Sequence, residues 1–472
     1  MVRFIELFKP LSRFFPAIKS PDKKVAFNEK IFWTAIALIL YFIMAQVPLY
    51  GVGQAGLNDP LGSLRVIFAS NRGTLMELGI GPIVTAGLIL QVLAGSKMVN
   101  IDMKDPEDRS LFTSASKILS VVMTLFEASA FILGGSYGTL AVTTQIVILL
   151  QLVGAGIIVL LLDELLQKGW GLGSGISLFI AGGVAATIWW DSVAPMGPMS
   201  DGKFLGAIIA FGQGLIGRED ITSIFYRQQG LPDMVAFLTT LGAFAILIYF
   251  NGMRVNIPVS YARYRGFRGT FPLKLFYVSN IPVIFAAALF GNIYFITQIL
   301  WQRYNSSNSN FWFNLLGTYA IQGNQYQPTG GLVYYVVPPQ NLTLVIEDPM
   351  RALVYAVLFV VACVFFAVTW VEVGGMDAKT VSKQLLDSGM QIEGFRRSEV
   401  PIRQLLQRYI PSVTIVGAIL IGVIAASADF LGAFGSGTGI LLTVGIIEQY
   451  YKIFVRERIT EIYPAARGFL GE

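Results

Sequence analysis

Residues 72–96, RGTLMELGIGPIVTAGLILQVLAGS, are apolar enough to cross a membrane, yet they carry a Gly-Ile-Gly-Pro sequence near their start. Glycine and proline disfavour the interior of a helix, so the segment predicts a membrane helix that bends or begins close to Pro82. Glu77 precedes the bend, and we expect it in an external funnel, where the helix dipole favours an acidic group. Such interruptions occur where a membrane fold binds or conducts something near the bilayer midplane.

The composition of the whole chain indicates a polytopic membrane protein. Of its 472 residues, 54% are hydrophobic and 13% are charged, whereas soluble domains are about one quarter charged. One helical crossing takes about 20 apolar residues. The ten predicted spans are residues 31–50, 75–96, 112–134, 142–165, 173–191, 235–253, 275–299, 352–372, 411–428 and 436–454.

The residue types that carry most enzyme chemistry are scarce. The chain has no histidine, and its single cysteine, Cys363, lies inside the eighth predicted span. Neither a Cys/Asp/Glu cluster that could bind a metal nor a phosphate-binding Gly-x-x-x-x-Gly-Lys-Ser/Thr sequence occurs. The sequence therefore predicts no catalytic residues, no metal site and no cofactor.

The distribution of positive charge predicts the orientation. With the N-terminus in the cytosol, the inside segments contain 27 Lys or Arg residues and the outside segments contain 7. Because cytosolic loops are enriched in Lys and Arg, we expect both termini in the cytosol. Residues 1–30 then form an amphipathic cytosolic segment, and 455–472 form a cytosolic tail.

Two cytosolic loops, 254–274 and 373–410, are rich in arginine. Charge that sets the topology explains much of this, but the planar guanidinium also suits phosphate, so a partner that contains RNA is a second interpretation. The eight arginines are Arg254, Arg263, Arg265, Arg268, Arg396, Arg397, Arg403 and Arg408.

An internal repeat relates spans that lie five apart. GIGPIVTAG (79–87) is similar to SNIPVIFAA (279–287), and GSGISLFIAGG (173–183) is similar to GSGTGILLTVG (435–445). Because five is an odd number, equivalent spans cross in opposite directions. The sequence thus predicts two inverted halves, one at 31–191 and one at 235–454, joined by an external connection at 192–234.

The repeat also selects a candidate constriction. One pair of positions lies beside each of the two prolines and one pair follows each of the two Gly-Ser-Gly sequences. The two members of a pair are spaced i, i+4 and therefore share one helix face. Six of these positions are aliphatic and two are polar, and packing of an ordinary core remains the alternative to pore lining. They are Ile80, Val84, Ile176, Ile180, Ile284 and Leu442, with Asn280 and Thr438.

Four long segments carry a resemblance to a known family. ASNRGTLMELGIGPIVTAG, LLDELLQKGWGLGSGISLF, PLKLFYVSNIPVI and LGAFGSGTGILLTV resemble the matching segments of SecY-family protein-conducting channels, and the resemblance extends along essentially the whole chain. The loop segments IEGFRRSE and VGGMDAKTVSKQ favour the archaeal and eukaryotic branch, in its archaeal form. The resemblance implies an all-α clamshell of two five-helix halves around an hourglass pore.

The resemblance also implies the functional residues. The pore ring falls on the six aliphatic positions above, and the plug that seals the external funnel corresponds to 59–71, a segment too short to cross the membrane. The implied plug residues are Leu61, Leu64, Arg65, Val66, Ile67 and Phe68. A lateral gate is implied between spans two and three on one side and spans seven and eight on the other, with polar residues Thr85, Glu127 and Asn280 as partners across it.

The resemblance finally implies a function and a set of partners. The chain would be the pore subunit of the Sec translocase, in a heterotrimer with the small subunits SecE and Sec-beta. It would pass signal sequences and secretory chains across the cell membrane, or the endoplasmic reticulum membrane in a eukaryote, and release spans into the lipid bilayer. The ribosome, reached through the signal recognition particle pathway, would dock by ribosomal RNA on the eight arginines. A secondary transporter of a small solute is the alternative that the residues alone leave open.

Overall fold

The computed structural model describes most of the chain and shows a mostly helical fold, as predicted. The described residues are 16–23, 25–52, 65, 68–95, 105–134, 136–138, 140–227, 230–261, 268–322, 325–387, 390–392 and 399–462.

In the described residues, five α-helices precede the predicted external connection: α1 (Phe27–Met44), α2 (Gly81–Gly95), α3 (Pro106–Leu133), α4 (Val142–Leu165) and α5 (Gly175–Val193). A π-helical turn, Leu166–Trp170, extends α4. We call these five the N-terminal helices. The connection itself contains α6 (Ala207–Ile216) and α7 (Ile221–Phe225).

Five long helices follow the connection, and we call them the C-terminal helices. They are α8 (Met234–Gly252), α9 (Ile281–Tyr304), α13 (Pro349–Val373), α15 (Glu399–Phe430) and α16 (Gly437–Ile462). Short elements join α9 to α13: α10 (Phe311–Leu316), a hairpin of β3 (Thr318–Gln322) and β4 (Gln325–Gly330), α11 (Leu332–Val336) and α12 (Leu342–Glu347).

Eight helices in the described part are long and apolar enough to cross a membrane. The second predicted span corresponds to α2, which has only 15 residues, and the tenth to α16, whose second half is charged. The chain is therefore a multi-pass membrane protein, and the count of ten spans stays a prediction.

The start of α2 lies where the glycines and Pro82 predicted it. Gly79 adopts a φ of +56°, and a Cβ there would lie 2.9 Å from the carbonyl oxygen of Ala69. Only glycine adopts this conformation readily and permits such a close approach of two backbone segments.

The backbone supports the internal repeat. Gly79 aligns with Ser279, and the two residues have φ values of +56° and +59°. Gly173 aligns with Gly435, and their φ values are +68° and +74°. Left-handed backbone is uncommon outside glycine, so its occurrence at both aligned pairs indicates that the equivalent turns have the same geometry.

The described parts of the two arginine-rich loops form one structured unit. β1 (Arg254–Tyr261) pairs with β2 (Arg268–Lys274) and with β5 (Met390–Ile392), giving an antiparallel sheet in the order β2-β1-β5. Its buried side chains pack against α14 (Ala378–Asp387) and the start of α15. The all-α fold thus contains a small sheet in these connections, where apolar residues alternate along β1 and β2.

The second of these loops is also shorter than predicted. α15 begins at Glu399 and continues through Pro411, so Arg403 and Arg408 lie on a helix rather than in an irregular loop. The ninth span is predicted to start at residue 411, but a long helix tolerates proline where neighbouring groups satisfy the freed carbonyl.

Candidate functional site

The six predicted constriction residues all belong to the main hydrophobic cluster of the molecule. Ile80, Val84, Ile180 and Leu442 are buried, while Ile176 and Ile284 are half-buried and pack against the same cluster. Ile80 directly precedes α2, and the helices that carry the other five contact one another in the order α2, α9, α16 and α5. The segment before α2 lies against α5 in turn, because Ala69 is next to Gly183.

Asn280, predicted as a gate residue, contacts another C-terminal helix. Its side-chain Nδ2 donates a hydrogen bond to the carbonyl oxygen of Leu442, at 3.1 Å, and Gly445 packs directly against its amide. Asn280 therefore joins α9 to α16, two C-terminal helices, at the level of the constriction residues. This hydrogen bond is made to a C-terminal helix and not to α2 or α3, and the role of Asn280 as a gate residue stays a prediction.

A different asparagine partners Thr85. Asn292 of α9 donates from Nδ2 to Thr85 Oγ1, at 3.0 Å, and to the carbonyl oxygen of Ala288, at 2.8 Å. Glu127 of α3 lines the same small cavity as Thr85 and Asn292 and is buried. Sequence reasoning missed Asn292, although an amide in the middle of an apolar span needs a partner and could have marked it.

The described part of the predicted plug is attached to the surrounding helices. Tyr41 of α1 donates its hydroxyl to the carbonyl oxygen of Ala69, at 3.0 Å, and the N–H of Ile80 donates to the carbonyl oxygen of Phe68, at 2.8 Å. Leu61, Leu64, Val66 and Ile67 lie outside the described residues.

Glu77, which the sequence predicts in an external funnel at the start of a helix, is a buried residue of the turn before α2. Its carboxylate pairs with the guanidinium of Arg65 at 2.7 Å, accepts the backbone N–H of Gly73, and is only 1% exposed. The α2 helix begins four residues later, at Gly81, so the helix dipole is not what holds this acid. The ion pair links the predicted plug to the turn before α2.

The external connection is folded around Arg227. This buried guanidinium donates to Asp201, at 2.8 and 3.1 Å, and to the carbonyl oxygens of Phe204, Leu205 and Pro232. Its hydrogen bond holds the pKa of the Asp201 carboxyl below its usual range, because the charged form is stabilised. Beside the connection lies a cavity of about 590 Å³, bounded by α5, α9, α13 and α15.

The predicted docking arginines are described only in part. Arg254 begins β1, and Arg403 and Arg408 lie on α15. Arg263, Arg265, Arg396 and Arg397 lie outside the described residues, and for Arg268 only the backbone, in β2, is described. No group of three or more His, Cys, Asp or Glu residues that could hold a metal occurs in the described part of the chain.

The sequence profile of the family described as SecY matches residues 74–451. The chain belongs to the SecY family. A second profile, described as the plug domain of Sec61p, matches residues 39–73, immediately before the first. The two matches meet at the turn that holds Glu77 and Gly79.

Solved structures agree with this family membership along nearly the whole chain. A structure titled "The structure of a protein conducting channel" is 37% identical, with a TM-score of 0.83, and the match covers 97% of this chain and 98% of the other. Canine Sec61 in a ribosome-channel complex from the endoplasmic reticulum is 36% identical, with a TM-score of 0.80 and coverage of 97% and 98%. The yeast Ssh1 complex bound to the yeast 80S ribosome is 28% identical, with a TM-score of 0.78 and coverage of 98% and 96%.

Members of the SecY family are protein-conducting channels, and this chain is a channel of that kind with a plug segment, not an enzyme. The assignment sets aside the small-solute transporter that the residues alone left open.

Proposed function

We propose that this SecY-family chain is the pore subunit of a Sec translocase and passes unfolded polypeptides between its N-terminal and C-terminal halves, 31–191 and 235–454. The observation that carries the proposal is the convergence of six aliphatic side chains from α2, α9, α16 and α5 in one cluster. These four helices come from both halves, so a path between the halves passes through the cluster.

The chemistry of the six side chains suits a seal around a moving chain. Branched aliphatic groups offer no ligand to an ion, and a narrow hydrophobic constriction excludes water by dewetting. The same groups make no specific hydrogen bond, so they pack loosely around any passing side chain. The ring would thus let polypeptides of many sequences pass while it blocks ions. Its members are Ile80, Val84, Ile176, Ile180, Ile284 and Leu442.

The proposed lateral gate is the contact of α2 and α3 with α9 and α13. Thr85 and Asn292 are its hydrogen-bonded partners, with Glu127 beside them. An unpaired polar group in lipid is costly, so these groups favour the closed gate. A signal helix inserted there would replace their contacts and then move sideways into the bilayer.

The proposed plug, residues 59–71, seals the same path from the external side. The buried Arg65–Glu77 ion pair and the hydrogen bonds to Ala69 and Phe68 support this position. Displacing the plug would break the ion pair, so the pair favours the closed state when no chain occupies the pore.

The proposed orientation, membrane and partners are based on the charge pattern and on the solved relatives. Both termini would lie in the cytosol, and the membrane would be the cell membrane, or the endoplasmic reticulum membrane in a eukaryote. SecE and Sec-beta would complete the heterotrimer. The ribosome, delivered by the signal recognition particle pathway, would bind the basic sheet and the start of α15 through ribosomal RNA, as two relatives are solved with ribosomes.

A stalled secretory chain tests the proposal. A photoreactive amino acid is placed at residue 80, 176 or 284 in membranes that contain the heterotrimer, and a truncated secretory chain is held on the ribosome. We expect cross-links to the stalled chain at all three positions, and none from residue 357, which lies exposed on α13. Absence of cross-links at the three ring positions would refute the path.

A further inference from the structure

Two helices that carry ring residues begin at equivalent places in the repeat. α5 begins at Gly175 and α16 at Gly437, each the last residue of a Gly-Ser-Gly sequence. A Cβ at Gly175 would lie 2.7 Å from the Cα of Asp163, and one at Gly437 would lie 2.8 Å from the Cβ of Ala428. Both helix starts are therefore pressed against the end of the preceding span.

At each of these two junctions, an aspartate side chain accepts a backbone N–H at the start of the helix. Oδ1 of Asp163, near the end of α4, accepts the backbone N–H of Ile176 and the hydroxyl of Ser174, both at 3.1 Å, while Oδ2 accepts the amide of Gln167 at 2.7 Å. Oδ1 of Asp429, near the end of α15, accepts the backbone N–H of Gly437 at 2.7 Å. Asp429 is buried, at 7% exposure.

Alignment of the repeat does not reveal this pair. Asp163 stands 12 residues before Gly175, and Asp429 stands 8 residues before Gly437. The longer first junction contains the π-helical turn Leu166–Trp170. Only the folded chain brings the two carboxylates to equivalent places.

Each carboxylate acts on the backbone next to the constriction. Ile176, whose N–H is held by Asp163, is itself a proposed ring residue, and Ile180 lies one turn further along α5. On α16, Thr438 follows Gly437 directly, and Leu442 lies one turn after Thr438. The first N–H groups of a helix have no partner within the helix, and at membrane depth an unsatisfied backbone group is costly.

We infer that Asp163 and Asp429 are a symmetry-related pair of positioning residues, each fixing the start of a ring-bearing helix so that its aliphatic side chains close the constriction. The inference rests on the proposed function of the ring. Under the inverted topology, Asp163 holds the constriction from the cytosolic side and Asp429 from the external side.

The test measures ion leak through the heterotrimer in planar bilayers without a translocating chain. We expect Asp163→Ala and Asp429→Ala to raise the leak several-fold over wild type. Asp163→Asn and Asp429→Asn should leak much less, because an amide oxygen still accepts the helix N–H. The matched control is Asp233→Ala. Asp233 is a buried aspartate that accepts the N–H of Ala236 at the start of α8, a helix without a ring residue.

Several outcomes would overturn the inference. Alanine variants that leak no more than Asp233→Ala, or asparagine variants that leak as much as the alanine ones, would show that these hydrogen bonds do not hold the ring. If Asp163→Ala does not assemble, Ser174→Ala removes one donor to the same oxygen and should raise the leak slightly; unchanged leak would count against the inference.

The same membranes separate the inference from the function on which it rests. A wild-type heterotrimer that passes no secretory chain would refute the proposed function itself. If wild type passes the chain while the alanine variants stay sealed, only the positioning role fails.

Discussion

The N-terminal and C-terminal helices meet at two seams that are held by different chemistry. The front seam joins α2 and α3 to α9, through the Thr85–Asn292 hydrogen bond and a stacked pair, Phe131 and Phe295, with ring centroids 4.9 Å apart. Between these groups lies the small cavity that Glu127 lines. The polar link between α2 and α9 is thus a hydrogen bond between two neutral side chains.

The rear seam joins α1 and α5 to α16. Lys30 and Glu457 form an ion pair at 2.7 Å, and the hydroxyl of Tyr450 donates to the carbonyl oxygen of Ser174 at 2.9 Å. Phe27 packs edge-on against Phe454, with centroids 5.6 Å apart. Hydrogen bonds to charged groups contribute about 1.5–3 kcal/mol, against about 1 kcal/mol for neutral ones.

The difference in chemistry between the two seams predicts which side of the molecule opens. Parting the front seam breaks the neutral hydrogen bond between Thr85 and Asn292 and exposes apolar surface that lipid or a signal helix can cover. Parting the rear seam breaks an ion pair and separates a hydroxyl from a backbone carbonyl. The rear seam is therefore the expected hinge and the front seam the expected gate.

The largest expected effect comes from locking the front seam. Thr85→Cys with Asn292→Cys, joined by a short thiol cross-linker, should nearly abolish the lateral insertion of membrane spans, because the gate cannot part. Insertion is measured with a model membrane protein in reconstituted vesicles. Cys363 is fully buried and does not compete for the reagent.

The matched control locks the rear seam instead. Lys30→Cys with Glu457→Cys, joined by the same reagent, should leave most insertion intact. Equal loss of insertion with both cross-links would show that the two seams open alike. That result would contradict the assignment of the front seam as the gate and the rear seam as the hinge.

The next effect concerns the ion pair between Arg65 of the predicted plug and Glu77. Glu77→Arg places a second cation beside Arg65, and breaking one side of a buried ion pair costs about 3–5 kcal/mol. We expect a large rise in ion leak and faster labelling of a cysteine placed at residue 68. Combining it with Arg65→Glu should restore much of the seal; a double variant that leaks as much as Glu77→Arg alone would exclude the ion pair as the cause.

A smaller effect is expected from loosening the rear seam. Glu457→Ala leaves the ammonium of Lys30, itself only 9% exposed, without its carboxylate partner, and should cost about 1.5–3 kcal/mol in stability. The melting temperature of the purified heterotrimer should fall, while insertion should stay near the wild-type rate. Glu457→Gln, which keeps an acceptor oxygen, is the control. A strong loss of insertion without a change in melting temperature would contradict the hinge role.

The smallest effect is expected from Thr85→Val, which removes the hydroxyl of the front seam at nearly constant volume. Losing one neutral hydrogen bond costs the closed gate about 1 kcal/mol, which corresponds to about a fivefold shift towards the open gate. Weakly hydrophobic signal sequences should be accepted more often, in a translocation assay that compares them with a strong signal sequence. A variant that accepts them less often than wild type would contradict the role of Thr85 in keeping the gate closed.

Much of the site could be predicted from the sequence because periodicity is a local property. Ile80, Val84, Ile176, Ile180, Ile284 and Leu442 were selected by their spacing from prolines and glycines, and all six lie in one cluster in the structure. The residues that were missed form partners across long separations. Asn292 was overlooked beside Asn280, since both are amides in the seventh predicted span and spacing alone does not show which one faces α2.

The sequence by itself determined the membrane class, the inverted repeat and the place where α2 begins. These follow from apolar length, from odd spacing between similar spans and from glycines, which adopt a positive φ more readily than other residues. Only the tertiary structure decided that Glu77 is buried against Arg65, that Asn280 bonds Leu442 and that Asp163 and Asp429 each accept a backbone N–H at a helix start. Each of these depends on which polar groups meet in a low-dielectric interior, where a buried group must find its partner, and that meeting is set by the packing of helices far apart in the chain.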